Sequence, residues 1–133
     1  MREAVLFGCA IPTGFGMVIN QIKPKNIILV PVSKVLFNWV IENICKNAVD
    51  AIKGNGEIDV SLIDENSHIS INISDNGEGI NRSIIKNIFK PGVTSKKRGW
   101  GLGLSLSKRI VEEYHKGSLF VMQSNKSVGT TFT

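Results

Sequence analysis

Apolar residues recur along this chain with two periods, and the period changes where the predicted elements change. Val35, Leu36, Trp39, Val40, Ile44, Ala48, Ala51 and Ile52 follow at three- and four-residue spacing, the spacing of one helical face. Ser33 stands where an N-cap belongs and Gly54 where such a helix ends. From Glu57 to Ile63 the period drops to two, with Ile58, Val60 and Leu62 on one side. It is two again from His68 to Ser74, with Ile69, Ile71 and Ile73 inward. Turn chemistry at Asp64-Glu65-Asn66-Ser67 separates the runs, and together they predict an antiparallel hairpin.

Further on, the pattern predicts a short helix over Asn81 to Ile88 and a long loop from Phe89 to Gly101. A helix follows from Leu102 to about Tyr114, with Leu106, Ile110, Val111 and Tyr114 on its apolar face and Gly117 closing it. Ser118 to Gln123 and Thr130 to Thr133 read as the last strands, and Ile27 to Val30, between Pro24 and Pro31, as an earlier one. Residues 1–25 mix apolar stretches with Gly and Pro; Val5 to Phe7 and Met17 to Ile22 are candidates for edge strands. The order predicts one α/β (α+β) domain over 1–133. It is a two-layer sandwich, with three helices on one face of a mixed, mostly antiparallel sheet.

Composition narrows the class. Hydrophobic residues at 42% and charged residues at 20% argue against disorder. The longest apolar candidate, Ala4 to Ile19, is broken by Gly8, Pro12, Gly14 and Gly16, so no run reaches the ~18 residues that read as a membrane span. Arg2 is offset by Glu3 and no small-x-small cleavage site follows, which argues against a signal peptide. Cys9 and Cys45 make neither a disulfide framework nor a metal cluster, and the expected setting is a reducing cytoplasm. Cys45, inside the first helical pattern, reads as core.

The net charge of +5 comes from 16 basic and 11 acidic residues. Arg82, Lys86, Lys90, Lys96, Lys97, Arg98, Lys108 and Arg109 fall between Gly79 and Val111, where there is no acidic residue. This segment is either a solvated basic face or a site for an anion. A surface for single-stranded nucleic acid would interleave aromatics with the cations. Here glycines are interleaved instead, which points to phosphates held by backbone N–H groups and to no nucleic-acid partner.

Three groups of residues carry chemistry. Asn43 and Asn47, four apart, stack on one helical face. They are either satisfied structural amides or a polar row offering an amide oxygen to a hard cation such as Mg²⁺. Asp75-Asn76-Gly77-Glu78-Gly79 follows a predicted buried strand. Its carboxylate can accept from an amine on a flat ligand, and its glycines let backbone approach closely. Gly99-Trp100-Gly101-Leu102-Gly103 leads into a helix behind Lys96, Lys97 and Arg98, an arrangement suited to an anion. It is neither a Rossmann fingerprint nor a P-loop. Together with Gly129-Thr130 these groups meet the needs of Mg·ATP.

Over residues 27–133 the chain resembles the ATP-binding catalytic domain of bacterial two-component sensor histidine kinases, in the GHKL superfamily. Glu42 to Ala48 looks like its N box, Asp75 to Ile80 its G1 box and Ile88 to Lys96 its F box. Gly99 to Gly103 looks like its G2 box and Gly129 to Phe132 a G3-like element. The resemblance implies the Bergerat fold, with ATP and Mg²⁺ as ligands. It makes Asn47 the Mg²⁺ ligand, with Asn43 supporting it, and Asp75 the residue that recognises the adenine amino group. Gly77 and Gly79 leave room for the base, and Thr130 lies near the adenine, assisted by water. Residues 89–101 become an ATP lid, expected to be disordered or variable without nucleotide, with Pro91-Gly92 and Gly99 as hinge-like positions. Lys96, Lys97 and Arg98 become candidate phosphate contacts. Gly99, Gly101, Leu102 and Gly103 begin the helix that cradles phosphates.

The superfamily's hydrolases place a glutamate base one helical turn before the Mg²⁺ asparagine. Here that position is Asn43, an amide without useful basicity. Glu42, next to it, points about 100° away around the helix. Phosphotransfer to an external nucleophile is thereby favoured over hydrolysis, with a non-catalytic nucleotide-binding or interaction module as the further alternative. Neither His68 nor His115 lies in a recognisable acceptor motif; both read as structural or surface residues. The resemblance therefore implies an acceptor histidine on a separate dimerisation domain of the same parent and a downstream response regulator. The isolated domain is expected to be a cytoplasmic monomer and the parent a homodimer, membrane-anchored or soluble. Trp100 receives no role.

Overall fold

A computed structural model of the chain describes residues 32–65, 67–94, 96 and 99–133, together with the backbone of 16–21. The expected strands at Val5–Phe7 and Ile27–Val30 lie outside these residues, as do Lys97 and Arg98. The described strands are β1 (Gly16–Gln21), β2 (Glu57–Asp64), β3 (Ile69–Asp75), β4 (Val121–Asn125) and β5 (Gly129–Phe132). The helices are α1 (Lys34–Ala51), α2 (Arg82–Ile85) and α3 (Gly103–Arg109), which runs on through a π-helical turn at Ile110–Tyr114. The strand order is β1-β2-β3-β5-β4. β1 pairs parallel with β2 and the other pairs are antiparallel, so the sheet is mixed and mostly antiparallel, as expected. The edge strand anticipated at Met17–Ile22 is β1, paired from Gly16 to Gln21.

The core lies between α1 and the sheet. Val40, Ile41, Ile44, Cys45, Ala48 and Ile52 meet Ile58 and Val60 of β2, Ile73 of β3 and Phe132 of β5, with Ile88, Ile110 and Leu119 closing its ends. Burying this much apolar surface is the main force holding the two layers together. Two members of the predicted helical face turn outward instead: Val35 is 78% exposed and Trp39 is also exposed. They lie in the first turns of α1, while Ile41 and Cys45 take up core positions.

Several boundaries differ from the sequence reading. α1 stops at Ala51, because Ile52 is already extended and buried, and Gly54 lies in the turn beyond. α2 is a single turn capped by the Asn81 side chain, which accepts from the Ser83 N–H at 3.0 Å, and turns replace helix up to Ile88. β4 begins three residues later than expected, at Val121, and carries an irregularity between Val121 and Gln123. On α3 the buried polar position is Ser107, fully inaccessible, whereas Leu106 and Tyr114 are exposed.

α1 is tied at both ends. At its start the Ser33 N–H donates to Nε2 of His115 at 3.0 Å, and Nδ1 of the same ring meets the Ile110 carbonyl at 3.0 Å. At its finish the Ala51 carbonyl accepts from the Glu78 N–H at 3.0 Å. His68 is an exposed turn residue in contact with Glu65 at 3.1 Å. Both histidines thus have the structural and surface places expected of them.

Candidate functional site

The end of β3 delivers Asp75 into a half-buried position beside β5, where it is registered with Thr130. Its Oδ1 accepts from the Gly77 N–H at 2.9 Å. Burial pushes the carboxyl above its ordinary value, and the backbone N–H groups of Gly77 and Thr130 pull it partly back. Thr130 is itself buried and shares a 2.8 Å hydroxyl contact with Ser124. Ser124 Oγ also accepts from the Ile80 N–H at 2.7 Å. The Asp75–Gly79 loop is therefore held on one side by the β4–β5 hairpin and on the other by Ala51.

Only glycine fits at 77. A Cβ there would stand 2.7 Å from the Ala51 carbonyl and 2.8 Å from Asp75 Oδ1, closer than carbon atoms come without displacing backbone. Gly77 thus lets the loop lie tight against both the end of α1 and the Asp75 carboxylate. Gly79 has a positive φ and lies against the Asn125 backbone, so its neighbour is the hairpin.

On α1, Asn43 and Asn47 are both partly buried and face the same way as expected, but each has its own partner. Asn43 Nδ2 donates to Ser107 Oγ at 2.9 Å. Gly103, the first residue of α3, lies against the same amide: a Cβ there would be 2.5 Å from Asn43 Oδ1. Asn43 therefore pins the start of α3 to the middle of α1. Asn47 Oδ1 accepts from Lys96 Nζ at 2.9 Å, and that ammonium also pairs with Asp50 Oδ2 at 2.5 Å. Glu42 points outward and pairs with Lys46 at 2.6 Å, as its angular offset from Asn43 requires.

The 89–101 loop is pinched at its neck. The Gly92 N–H donates to the Gly101 carbonyl at 3.0 Å, and a Cβ on Gly101 would stand 2.6 Å from the Gly92 carbonyl carbon. Gly101 has φ +62°, a conformation costing other residues about 1–2 kcal/mol. The loop's first residue, Phe89, packs edge-on against Phe132, with Lys108 Nζ 4.8 Å from its ring centre. Lys108 also donates to the Leu119 carbonyl at 2.7 Å and pairs with Glu112. Trp100, just before the neck, is 89% exposed and Leu102 just after it is half-exposed.

The structure thus gathers Asp75, Gly77 and Thr130 at one end of α1, and Asn43, Asn47, Lys96 and Gly103 along its middle. Ser107, Ser124 and Asp50 join them without having been singled out by the sequence, and Lys108 had been noted only as part of the basic segment. Among the described residues no cluster of three or more His, Cys, Asp or Glu could hold a metal. The one cation-accepting oxygen matched to the expected ligand is Asn47 Oδ1. It accepts a hydrogen bond from the Lys96 ammonium, so it is a hard oxygen donor already facing a cation, and its chemistry fits Mg²⁺ bound together with a nucleotide.

This fold is that of histidine-kinase catalytic domains. The catalytic domain of histidine kinase ThkA superposes with a TM-score of 0.75 at 27% identity, over 90% of this chain and 76% of that one. The sequence profile of the histidine kinase-, DNA gyrase B- and HSP90-like ATPases matches residues 34–133, and the chain belongs to that family. Sporulation kinase D of Bacillus subtilis (strain 168) is 38% identical over 106 residues, which are 80% of this chain and 21% of that protein. The signal transduction histidine-protein kinase AtoS of Escherichia coli (strain K12) is 40% identical over 115 residues, or 86% of this chain and 18% of that protein. The chain spans about a fifth of the length of these curated relatives. Among the described residues no helix is long and apolar enough to cross a membrane.

Proposed function

We propose that this chain binds Mg·ATP and presents the γ-phosphate to a histidine on a separate dimerisation domain of its parent protein, from which a response regulator is phosphorylated. The observation that carries the reading is the half-buried Asp75 carboxylate, with the backbone of Gly77 closed against it as only glycine allows. A half-buried carboxylate beside close-lying backbone is suited to the exocyclic amine of adenine. In this reading Asn47 holds Mg²⁺, which offsets phosphate charge. Asn43 holds the start of α3, Lys96, Lys97 and Arg98 are phosphate contacts, and Gly99, Gly101, Leu102 and Gly103 bring backbone N–H groups to the phosphates. Thr130 supports the adenine side through its N–H and hydroxyl.

Transfer rather than hydrolysis is supported by the absence of a base at the right place. The position one turn before Asn47 is an amide committed to Ser107, and Glu42 is committed outward to Lys46. The reading also places the domain in the cytoplasm as one piece, 1–133, of a homodimeric parent. Calorimetric titration with β,γ-imido-ATP, with and without Mg²⁺, tests it on the wild-type chain and Asp75→Asn. We expect magnesium-dependent binding that weakens at least about tenfold in the variant, the loss that accompanies a hydrogen bond to a charged group. A folded wild-type chain that binds no nucleotide, or a variant that binds equally well, would sink the proposal.

A further inference from the structure

We infer that Asp50 is a positioning residue that holds the Lys96 ammonium on the Asn47 amide oxygen, and that this ammonium and the divalent cation compete for that one oxygen. The inference deepens the reading above and rests on Asn47 being the metal ligand.

Asn47 and Asp50 are three residues apart on α1, so both side chains reach the same patch of the helix surface. Lys96 arrives from 49 residues away and places Nζ 2.9 Å from Asn47 Oδ1 and 2.5 Å from Asp50 Oδ2. Its backbone is held as well, the Lys96 N–H donating to Thr94 Oγ1 at 3.1 Å. The neighbouring lysines on this side pair elsewhere: Lys46 with Glu42 and Lys53 with Glu78. Lys96 alone among these three is directed onto the amide oxygen, and the Asp50 carboxylate fixes its direction.

An amide oxygen has two lone pairs, but a metal ion on one and the Lys96 ammonium on the other would stand only about 4–5 Å apart, and like charges that close repel. Metal binding at Asn47 therefore works against the Lys96 contact and favours its release. The released ammonium is then free to meet a phosphate. Lys96 thus acts twice: as a tethered competitor before the metal arrives and as a phosphate contact afterwards. Asp50 sets the balance between the two positions.

Both side chains are largely solvent-exposed, so substitution leaves the core untouched. The deciding measurement is a MgCl₂ titration at saturating β,γ-imido-ATP, comparing the full wild-type chain with Asp50→Asn. We expect the magnesium midpoint to fall about two- to fivefold in Asp50→Asn, the range that corresponds to losing one exposed ion pair. In nucleotide-free protein the side-chain amide resonance of Asn47 should shift in both Asp50→Asn and Lys96→Met. An unchanged or raised midpoint in Asp50→Asn overturns the competition, and an unmoved Asn47 resonance in Lys96→Met overturns the contact on which it depends. A wild-type chain with no magnesium-dependent binding at all overturns the reading of Asn47 as ligand, and the competition with it. Normal binding with an unmoved midpoint overturns the competition alone.

Discussion

Asp75 sits where its charge is unfavourable for folding and useful for recognition. Burial raises its carboxyl above the ordinary value of 3.8 despite two backbone N–H donors. The native chain therefore holds this proton more tightly than the unfolded chain does. The group's contribution to stability is complete below the ordinary carboxylate value and is lost as pH rises through the raised native value. Asp75→Asn should accordingly match the wild type in melting temperature near pH 3.5 and equal or exceed it at pH 7, while losing nucleotide affinity. Thermal melts across that range check the sign: a variant less stable at pH 7 than at pH 3.5, relative to wild type, would contradict it. The trade is a familiar one, because a group poised for a ligand is seldom optimal for the fold alone.

At the level of elements, the neck of the 89–101 loop is the point where sequence and geometry leave least freedom. Gly101→Ala adds a Cβ onto the Gly92 backbone at a positive φ. We expect roughly tenfold weaker binding of the ATP analogue, the equivalent of the conformational cost of an L-residue at that φ. The melting temperature should barely change, because no described residue of the 89–101 loop belongs to the fully buried core. Binding measured beside a thermal melt separates this from general destabilisation. The elements themselves were legible to very different degrees. α1 and the β2–β3 hairpin followed from apolar period, since each buries one regular face. On α3 the apolar period favoured Leu106, but the inward place belongs to Ser107, whose hydroxyl is matched by Asn43 on another element. A buried polar pair made across 64 residues leaves no periodic trace in either segment. The same holds for Asp50, whose partner Lys96 reaches it from a loop, and for Lys108, whose part depends on where Phe89 packs. Two-residue signals such as Asp75 before glycines were readable because their chemistry is local.

For the molecule as a whole, the sheet is closed on one side by β4 and on the other by β1, whose parallel pairing with β2 runs from Gly16↔Glu57 to Gln21↔Leu62. Deleting residues 1–21 would leave the N–H and C=O groups of one β2 edge unpaired, and bare edges invite pairing with other chains. The truncated chain should melt several degrees lower, as expected for the loss of about 1–2 kcal/mol in a domain of this size. It should also elute partly as larger species, which size-exclusion chromatography would reveal. A monomer of unchanged stability would mean that β1 contributes nothing beyond its pairing geometry.

The fastening of α1 at both ends has a consequence for kinetics. With Ser33 clipped to His115 and Ala51 to the Glu78 N–H, the helix carrying both asparagines is a fixed strut. Asp75 is anchored to the same frame through its sheet register. Among its described residues the pinched 89–101 loop is fastened at its neck, at Phe89 and through Lys96. On the proposed reading, equilibrium preference for one ligand over another is therefore written into the strut, and residence time into the loop. Changes along α1 alter which molecule is held, whereas changes between Phe89 and Gly101 alter how long it stays.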